Sequence, residues 1–236
     1  MKPVAIFRHS VTEGAGYFAT FLDSRQIPWR LIKADQGNAI PAAASLFSGI
    51  GFMGGPMSVN DDLPWIAPEL ALIRDAVRCD IPVIGHCLGG QLMSKALGGA
   101  VTRNPVKEIG WGRVDVLPGE VGKRWLGEAA SFESFHWHGK TFSVPPGSIP
   151  IDSSVYCQQQ MFVSGKHVGM QCHVEMTPEL ISVWCADWEK EIQTVAQLTP
   201  SVQTPAQMLA AVEDKTAQLR RVADRIYKQW IKGLLP

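Results

Sequence analysis

One segment of this chain carries the residues for nucleophilic chemistry. Ile81-Pro82-Val83-Ile84-Gly85-His86-Cys87-Leu88-Gly89-Gly90-Gln91-Leu92 reads as an apolar run, then G-x-C-x-G, then residues suited to a helix. A strand that turns sharply into a helix through such glycines is a nucleophile elbow, here with cysteine in place of serine. In so tight a turn the neighbours of the nucleophile must lack bulk. The turn lifts the sulfur above a sheet at a helix N-terminus, where the dipole and free N–H groups favour the thiolate, the reactive form of cysteine. The N–H of Leu88 then points at any oxyanion that develops beside the sulfur. Cys79, Cys157 and Cys185 lack this context and read as small core residues.

A cysteine nucleophile needs a base, and the base needs an orienting carboxylate. In Gly169-Met170-Gln171-Cys172-His173-Val174-Glu175-Met176-Thr177, His173 and Glu175 are two apart, so on an extended segment their side chains share a face. H-x-E alone also describes a solvated strand end. What selects this pair among the six histidines is its place after an apolar strand, before a helix and downstream of the elbow. His86 adjoins the nucleophile but should point away from it, and His9 and His167 read as surface or core residues. A third segment, Phe52 to Val59, sets Gly54-Gly55-Pro56 after an apolar strand. Such a tripeptide is ordinarily just a turn. If its strand neighbours the Cys87 strand in a parallel sheet, the turn lies where ligands bind in open α/β sheets, and its N–H groups can complete an oxyanion hole.

Positioning these segments requires regular elements, and the pattern supplies them. A strand is predicted near Pro3 to Arg8, a helix at Tyr17 to Arg25, strands at Trp29 to Lys33 and Leu46 to Met53, a helix from about Trp65 to Arg78, and a strand at Ile81 to Ile84. Apolar strands alternating with helices imply a parallel sheet covered on both faces. After a helix from Leu88 to Leu97, short strands at Val101, Ile109 to Val116, Ser131 to Trp137, Tyr156 to Val163 and His167 to His173 suggest an antiparallel extension. Helices return at Pro178 to about Glu191, with Thr177 as N-cap, and at Pro205 to about Ile231, with a linker from Leu198 to Pro205 between them.

The expected fold is one α/β domain over residues 1–236, a three-layer sandwich with a mostly parallel central sheet and an antiparallel extension, ending in a helical segment at 204–231. In that segment Leu209, Val212, Leu219, Val222, Ile226, Trp230 and Ile231 recur at near-helical spacing, which fits packing on the domain's own sheet or a surface for a partner.

Composition narrows the function classes. Lys plus Arg and Asp plus Glu both number 22, so there is no basic excess to suit a nucleic-acid partner. Five cysteines form no C-x-x-C pair, and an odd count does not suit a disulfide framework, which points to a reducing, cytoplasmic setting. Met1 to Arg8 enters an apolar run too short for a signal peptide. The uncharged stretch from Gln36 to Asn60 is long enough to cross a bilayer, but Pro41, Gly49, Gly51, Gly54, Gly55 and Pro56 break it, so a buried strand ending in a glycine turn is expected and no membrane partner.

Taken in order, these segments resemble the class I glutamine amidotransferase family, particularly free-standing members similar to the glutaminase domain of GMP synthase. The resemblance covers most of the chain and rests on Gly54-Gly55-Pro56, Gly85 to Gln91, Ala96-Leu97-Gly98-Gly99, Glu108-Ile109-Gly110-Trp111, Trp137-His138-Gly139, Val144-Pro145-Pro146-Gly147 and Gly169 to Glu175. It implies a flavodoxin-like fold and a glutaminase in which Cys87 attacks the side-chain amide of glutamine, His173 protonates the departing ammonia and Glu175 orients His173. It further implies that Gly55 and Leu88 bind the oxyanion through N–H groups, and that Gly54, Gln91, His138 and Gly139 help hold the substrate. No metal or organic cofactor is implied. The partners implied are a small-molecule substrate, glutamine or a γ-glutamyl compound, and a separate synthetase subunit to receive ammonia, since the chain has no P-loop. Two departures stand out: Cys172 and Val174 replace the family's usual Phe and Pro beside the histidine, and Lys140 stands where an acidic residue commonly follows Trp-His-Gly. A stand-alone γ-glutamyl peptidase or hydrolase is the alternative, and a non-catalytic binding subunit is a third reading.

Overall fold

Five buried residues in a row, Val4–Arg8, make β1, and the alternation of their side chains explains the layers. Val4 and Ile6 join one apolar cluster with Phe18, Phe21 and Leu22 of α1 (Gly16–Ser24), while Ala5 and Phe7 join another with Leu72 and Ile73 of α2 (Ile66–Arg78). Period-two strands between period-3.6 helices thus bury both faces of one sheet. The computed structural model describes residues 1–196 and 199–235, except for the side chain of Glu191.

The first half of the chain adds β2 (Trp29–Lys33), β3 (Gly49–Phe52), β4 (Val83–His86) and α3 (Leu88–Ala96). The second half contributes β5 (Val101–Val116), α4 (Glu120–Leu126), β6 (Ser131–Phe142), β7 (Ile149–Ser153), β8 (Met161–Ser164), β9 (His167–Met170), α5 (Pro178–Asp187), α6 (Glu189–Ala196), α7 (Pro205–Leu209) and α8 (Val212–Trp230). All nine strands form one sheet in the order β2-β1-β3-β4-β9-β8-β7-β5-β6. Pairings from β2 to β9 are parallel, and those from β9 to β6 are antiparallel. The sheet is therefore mixed, and the antiparallel extension is larger than the short runs in the sequence suggested.

Several boundaries differ from expectation for identifiable reasons. Val101 and Ile109 to Val116 belong to one strand, continuous across an irregularity between Arg103 and Glu108. The expected strand at Tyr156 to Val163 begins only at Met161, and the one at His167 to His173 leaves the sheet after Met170. Strand β7 contains Pro150 and helix α4 contains Gly122, residues that masked both elements. Thr177 caps α5 as expected, its side chain accepting from the Leu180 N–H. The expected C-terminal helix is two helices, because Ala211 adopts a left-handed conformation at φ 53° between α7 and α8. The expected linker begins at Leu198, which lies outside the described residues, but its later part is no loose tether: Ser201 and Gln203 hydrogen-bond the backbone of Ile109 at 3.0 and 2.9 Å.

Helix α8 buries Leu219, Val222, Ala223, Ile226, Tyr227 and Trp230 in the same cluster as α1, so its apolar stripe faces the domain's own sheet. Among the described residues, no helix is long and apolar enough to cross a membrane.

Candidate active site

Cys87 joins β4 to α3 at φ 50°, ψ −105°, a backbone conformation that costs a non-glycine residue energy and persists only where its surroundings enforce it. Here they do. The Cys87 N–H donates to Met170 O at 2.8 Å, tying the elbow to β9. A Cβ on Gly85 would lie 2.4 Å from the carbonyl carbon of Gly89, and one on Gly89 would lie 2.2 Å from Phe52 O. The two flanking glycines are thus required by space, since strand, elbow and helix pack backbone against backbone.

Beyond β9 the chain leaves the sheet, and the His173 N–H donates to Phe135 O of β6 at 2.8 Å. That bridge fixes the backbone from which His173 reaches back toward Cys87. His173 Nδ1 lies 2.6 Å from Glu175 Oε1, and the edge of the Trp184 ring packs against the imidazole at a centroid distance of 5.1 Å. With Nδ1 committed to Glu175, Nε2 is the nitrogen left for chemistry, and it is buried with no hydrogen-bond partner among the described residues. Burial opposes a charged imidazole, but the Glu175 carboxylate and then the Cys87 sulfur outweigh it and hold the His173 pKa well above its ordinary value. For Glu175 the burial penalty is likewise overcome, chiefly by His173, and its pKa is lowered.

His86 points away from the sulfur, as expected. It lies behind Glu175, with Nε2 3.0 Å from the Tyr227 hydroxyl of α8 and 4.0 Å from Glu175 Oε2. Burial holds its pKa down, so a neutral ring backs the carboxylate. His9 proves to be a core residue: Nδ1 donates to Met53 O at 3.0 Å and Gly54 O at 3.2 Å, and Nε2 meets Glu69 at 3.0 Å. This clamp holds the Gly54-Gly55 turn at the end of β3. His167 is also buried, its Nδ1 accepting from the Val83 N–H at 3.1 Å.

The turn and the elbow meet, for a Cβ on Gly55 would lie 2.8 Å from Leu88 Cδ2. Gly55, Cys87, Gln91 and His173 line a cavity of about 390 Å³ together with Arg103, Lys107, Trp137, His138, Gly139 and Lys140. Gln91 donates to Gln171 Oε1 at 3.1 Å, and Gln171 Nε2 lies 3.5 Å from Cys87 Sγ. Gln171 was legible as part of the G-M-Q-C-H-V-E run, although nothing local gave it a role. His138 lines the cavity, but both ring nitrogens face groups of the protein itself, Lys140 O at 2.9 Å and Glu108 Oε2 at 3.1 Å. Gly54 lies behind the lining, against Glu13: a Cβ there would sit 2.3 Å from Glu13 Oε2.

Glu13 is the residue that sequence reasoning missed. It is the one carboxylate among the cavity-lining residues, which also include the cations Arg103, Lys107 and Lys140. Burial first, and the neighbouring Glu175 charge as well, push its pKa up to about 7 against the opposing pull of His173 and His9. It stands alone in Ser10-Val11-Thr12-Glu13-Gly14, and only the tertiary fold brings it to Cys87.

Comparison with known proteins fits this arrangement. The model of the glutamine amidotransferase class I family matches residues 22–182. A crystal structure of a glutamine amidotransferase from Methylobacillus flagellatus is 44% identical, covers 100% of this chain and 96% of its own, and superposes with a TM-score of 0.97. The glutamine amidotransferase-like protein YfeJ of Salmonella typhimurium is 31% identical over 73% of this chain and 75% of its own length. The GMP synthase of Shewanella amazonensis is 31% identical over 55% of this chain, but the match spans only 26% of that larger protein. This chain belongs to the class I glutamine amidotransferase family.

Proposed function

We propose that the chain hydrolyses γ-glutamyl amide bonds, with the side-chain amide of glutamine as substrate. The observation that carries this reading is the ordered series of Cys87 at a strained elbow, Gln171 against its sulfur, and His173 held at 2.6 Å by Glu175 with Nε2 unspent. The Cys87 thiolate attacks the amide carbonyl carbon, and the oxyanion is held by the N–H groups of Gly55 and Leu88. One such donor is worth on the order of 10² to 10³ in rate. His173 gives its Nε2 proton to the leaving nitrogen, the C–N bond breaks, and ammonia departs from a γ-glutamyl thioester. Water then gives a proton to His173 and its oxygen to the carbonyl, freeing glutamate and the thiolate. Glu13 supplies the negative charge that the substrate's α-ammonium needs, and Gln91, His138 and Gly139 shape the site around the head group. The ammonia either diffuses away or passes to a separate synthetase subunit.

A second reading, hydrolysis of γ-glutamyl peptides, is favoured by one specific observation. Arg103 and Lys140 both line the cavity of the nucleophile, more positive charge than the one α-carboxylate of glutamine requires.

Glutamate release by the purified protein from L-glutamine and from a γ-glutamyl dipeptide, with Cys87→Ala as control, tests both. Turnover of glutamine that vanishes in the variant supports the glutaminase reading. Preference for the dipeptide supports the second, and release that survives Cys87→Ala refutes both.

A further inference from the structure

Behind the cavity wall, β5 and β6 bring together Glu108, His136 and His138, which are 4%, 1% and 4% exposed. One ligand atom from each lies within 4.8 Å of the others. Because Lys140 O can only accept, His138 Nδ1 must carry the proton in their 2.9 Å contact. Nε2 is therefore the nitrogen turned to Glu108 Oε2, at 3.1 Å. A proton or a metal ion between the two holds them at that separation. Glu108 is already oriented for one, since Ser154 Oγ donates to Oε1 at 2.9 Å and Gln160 Nε2 donates to Oε2 at 3.0 Å.

His136 is the independent observation. It precedes His138 by two residues on β6, so both rings project from one face of the strand. Neither of its nitrogens makes a well-formed hydrogen bond among the described residues, the nearest backbone to Nε2 being that of Gly112. An imidazole left unpaired at such depth carries a desolvation penalty that a ligand would relieve.

The geometry points to a divalent transition-metal site, suited first to zinc, with Glu108 Oε2, His138 Nε2 and one nitrogen of His136 as ligands and water completing the set. Two imidazoles and a carboxylate match the preference of borderline ions for mixed nitrogen and oxygen donors. The outer contacts have the form such sites use: His138 fixed through its second nitrogen on a carbonyl, Glu108 fixed by two donors. Bound there, the ion clamps β5 to β6 and, through His138 and Lys140, stiffens the cation-bearing wall of the cavity. The thiol chemistry proceeds without it, so this site stands or falls independently of the proposed hydrolysis.

The test is titration of the metal-free full chain with Zn²⁺ by calorimetry and with Co²⁺ by visible absorption, in the native protein and in Cys87→Ala, His136→Gln and Glu108→Gln. The expected result is one equivalent bound, a four-coordinate cobalt spectrum with no thiolate charge-transfer band, no change in Cys87→Ala, and affinity lowered roughly tenfold or more in the other two variants. Nitrogen-resolved spectra of the histidines in the native chain serve where a variant does not fold, and zinc should shift the ring nitrogens of His136 and His138 together. No binding at millimolar zinc, binding abolished by Cys87→Ala but indifferent to His136→Gln, or zinc that leaves both histidine signals unmoved would overturn the proposal.

Discussion

In the parallel half of the sheet, β3, β4 and β9 end side by side, and each carboxyl end leads into a backbone feature: the Gly54-Gly55 turn, the Cys87 elbow, the segment that presents His173. In the antiparallel half, β5 and β6 lie along the cavity and contribute side chains from their length, Arg103, Lys107, Trp137, His138 and Lys140. The first contribution is fixed by main-chain hydrogen bonds and glycine contacts too close to admit a methyl group. The second rests largely on long side chains, which can be exchanged without moving a strand. On the proposed function, the parallel half carries the reaction machinery, with Glu13 and Gln91 also meeting the head group, and the antiparallel half meets the rest of the substrate, so changes in the triad should appear in rate and changes in β5 and β6 in affinity.

Glu175→Gln should produce the largest effect, because an amide can neither fix the His173 tautomer nor neutralise the imidazolium. We expect kcat to fall by about 10² to 10⁴, read by steady-state glutamate release. A change in KM alone would break the assignment of this half to rate. Gly89→Ala comes next, since its methyl group must displace Phe52 O or open the elbow. A loss of about 1 to 3 kcal/mol in chemical denaturation is expected, together with reduced alkylation of Cys87 by iodoacetamide.

Lys140→Ala tests the other half. The KM for a γ-glutamyl dipeptide should rise several-fold, about 1 kcal/mol, with kcat retained, while glutamine is affected less. Equal effects on both substrates would show that Lys140 does not meet the distal part of the substrate. The smallest effect should be a pH dependence from Glu13. Its raised pKa means that it is neutral below about 7 and charged above, so the KM for glutamine should fall as pH rises through 7 while the substrate ammonium keeps its proton. Glu13→Gln should flatten that slope, and a slope that persists in the variant would assign it to another group.

Local pattern exposed the parallel half well, because each of its strands is a short apolar run bounded by glycine, proline or a cap, and the site residues sit at the ends of those runs. The antiparallel half was harder. Pro150 hid β7, and the irregularity between Arg103 and Glu108 made one strand look like two. His9 gave no sign of being a core clamp, because its partners Met53, Gly54 and Glu69 are distant in sequence and met only through folding.

By itself, then, the sequence determined the elements, the elbow and the H-x-E pair, because space in a tight turn and the two-residue repeat of an extended chain are local constraints. Tertiary structure alone decided that Glu13 lines the same cavity as Cys87 with its pKa raised by burial, that His86 backs Glu175 with the help of Tyr227, and that Glu108, His136 and His138 share one buried site. Those relations depend on distance, burial and charge between segments far apart in the chain, quantities that exist only once the sheet has assembled.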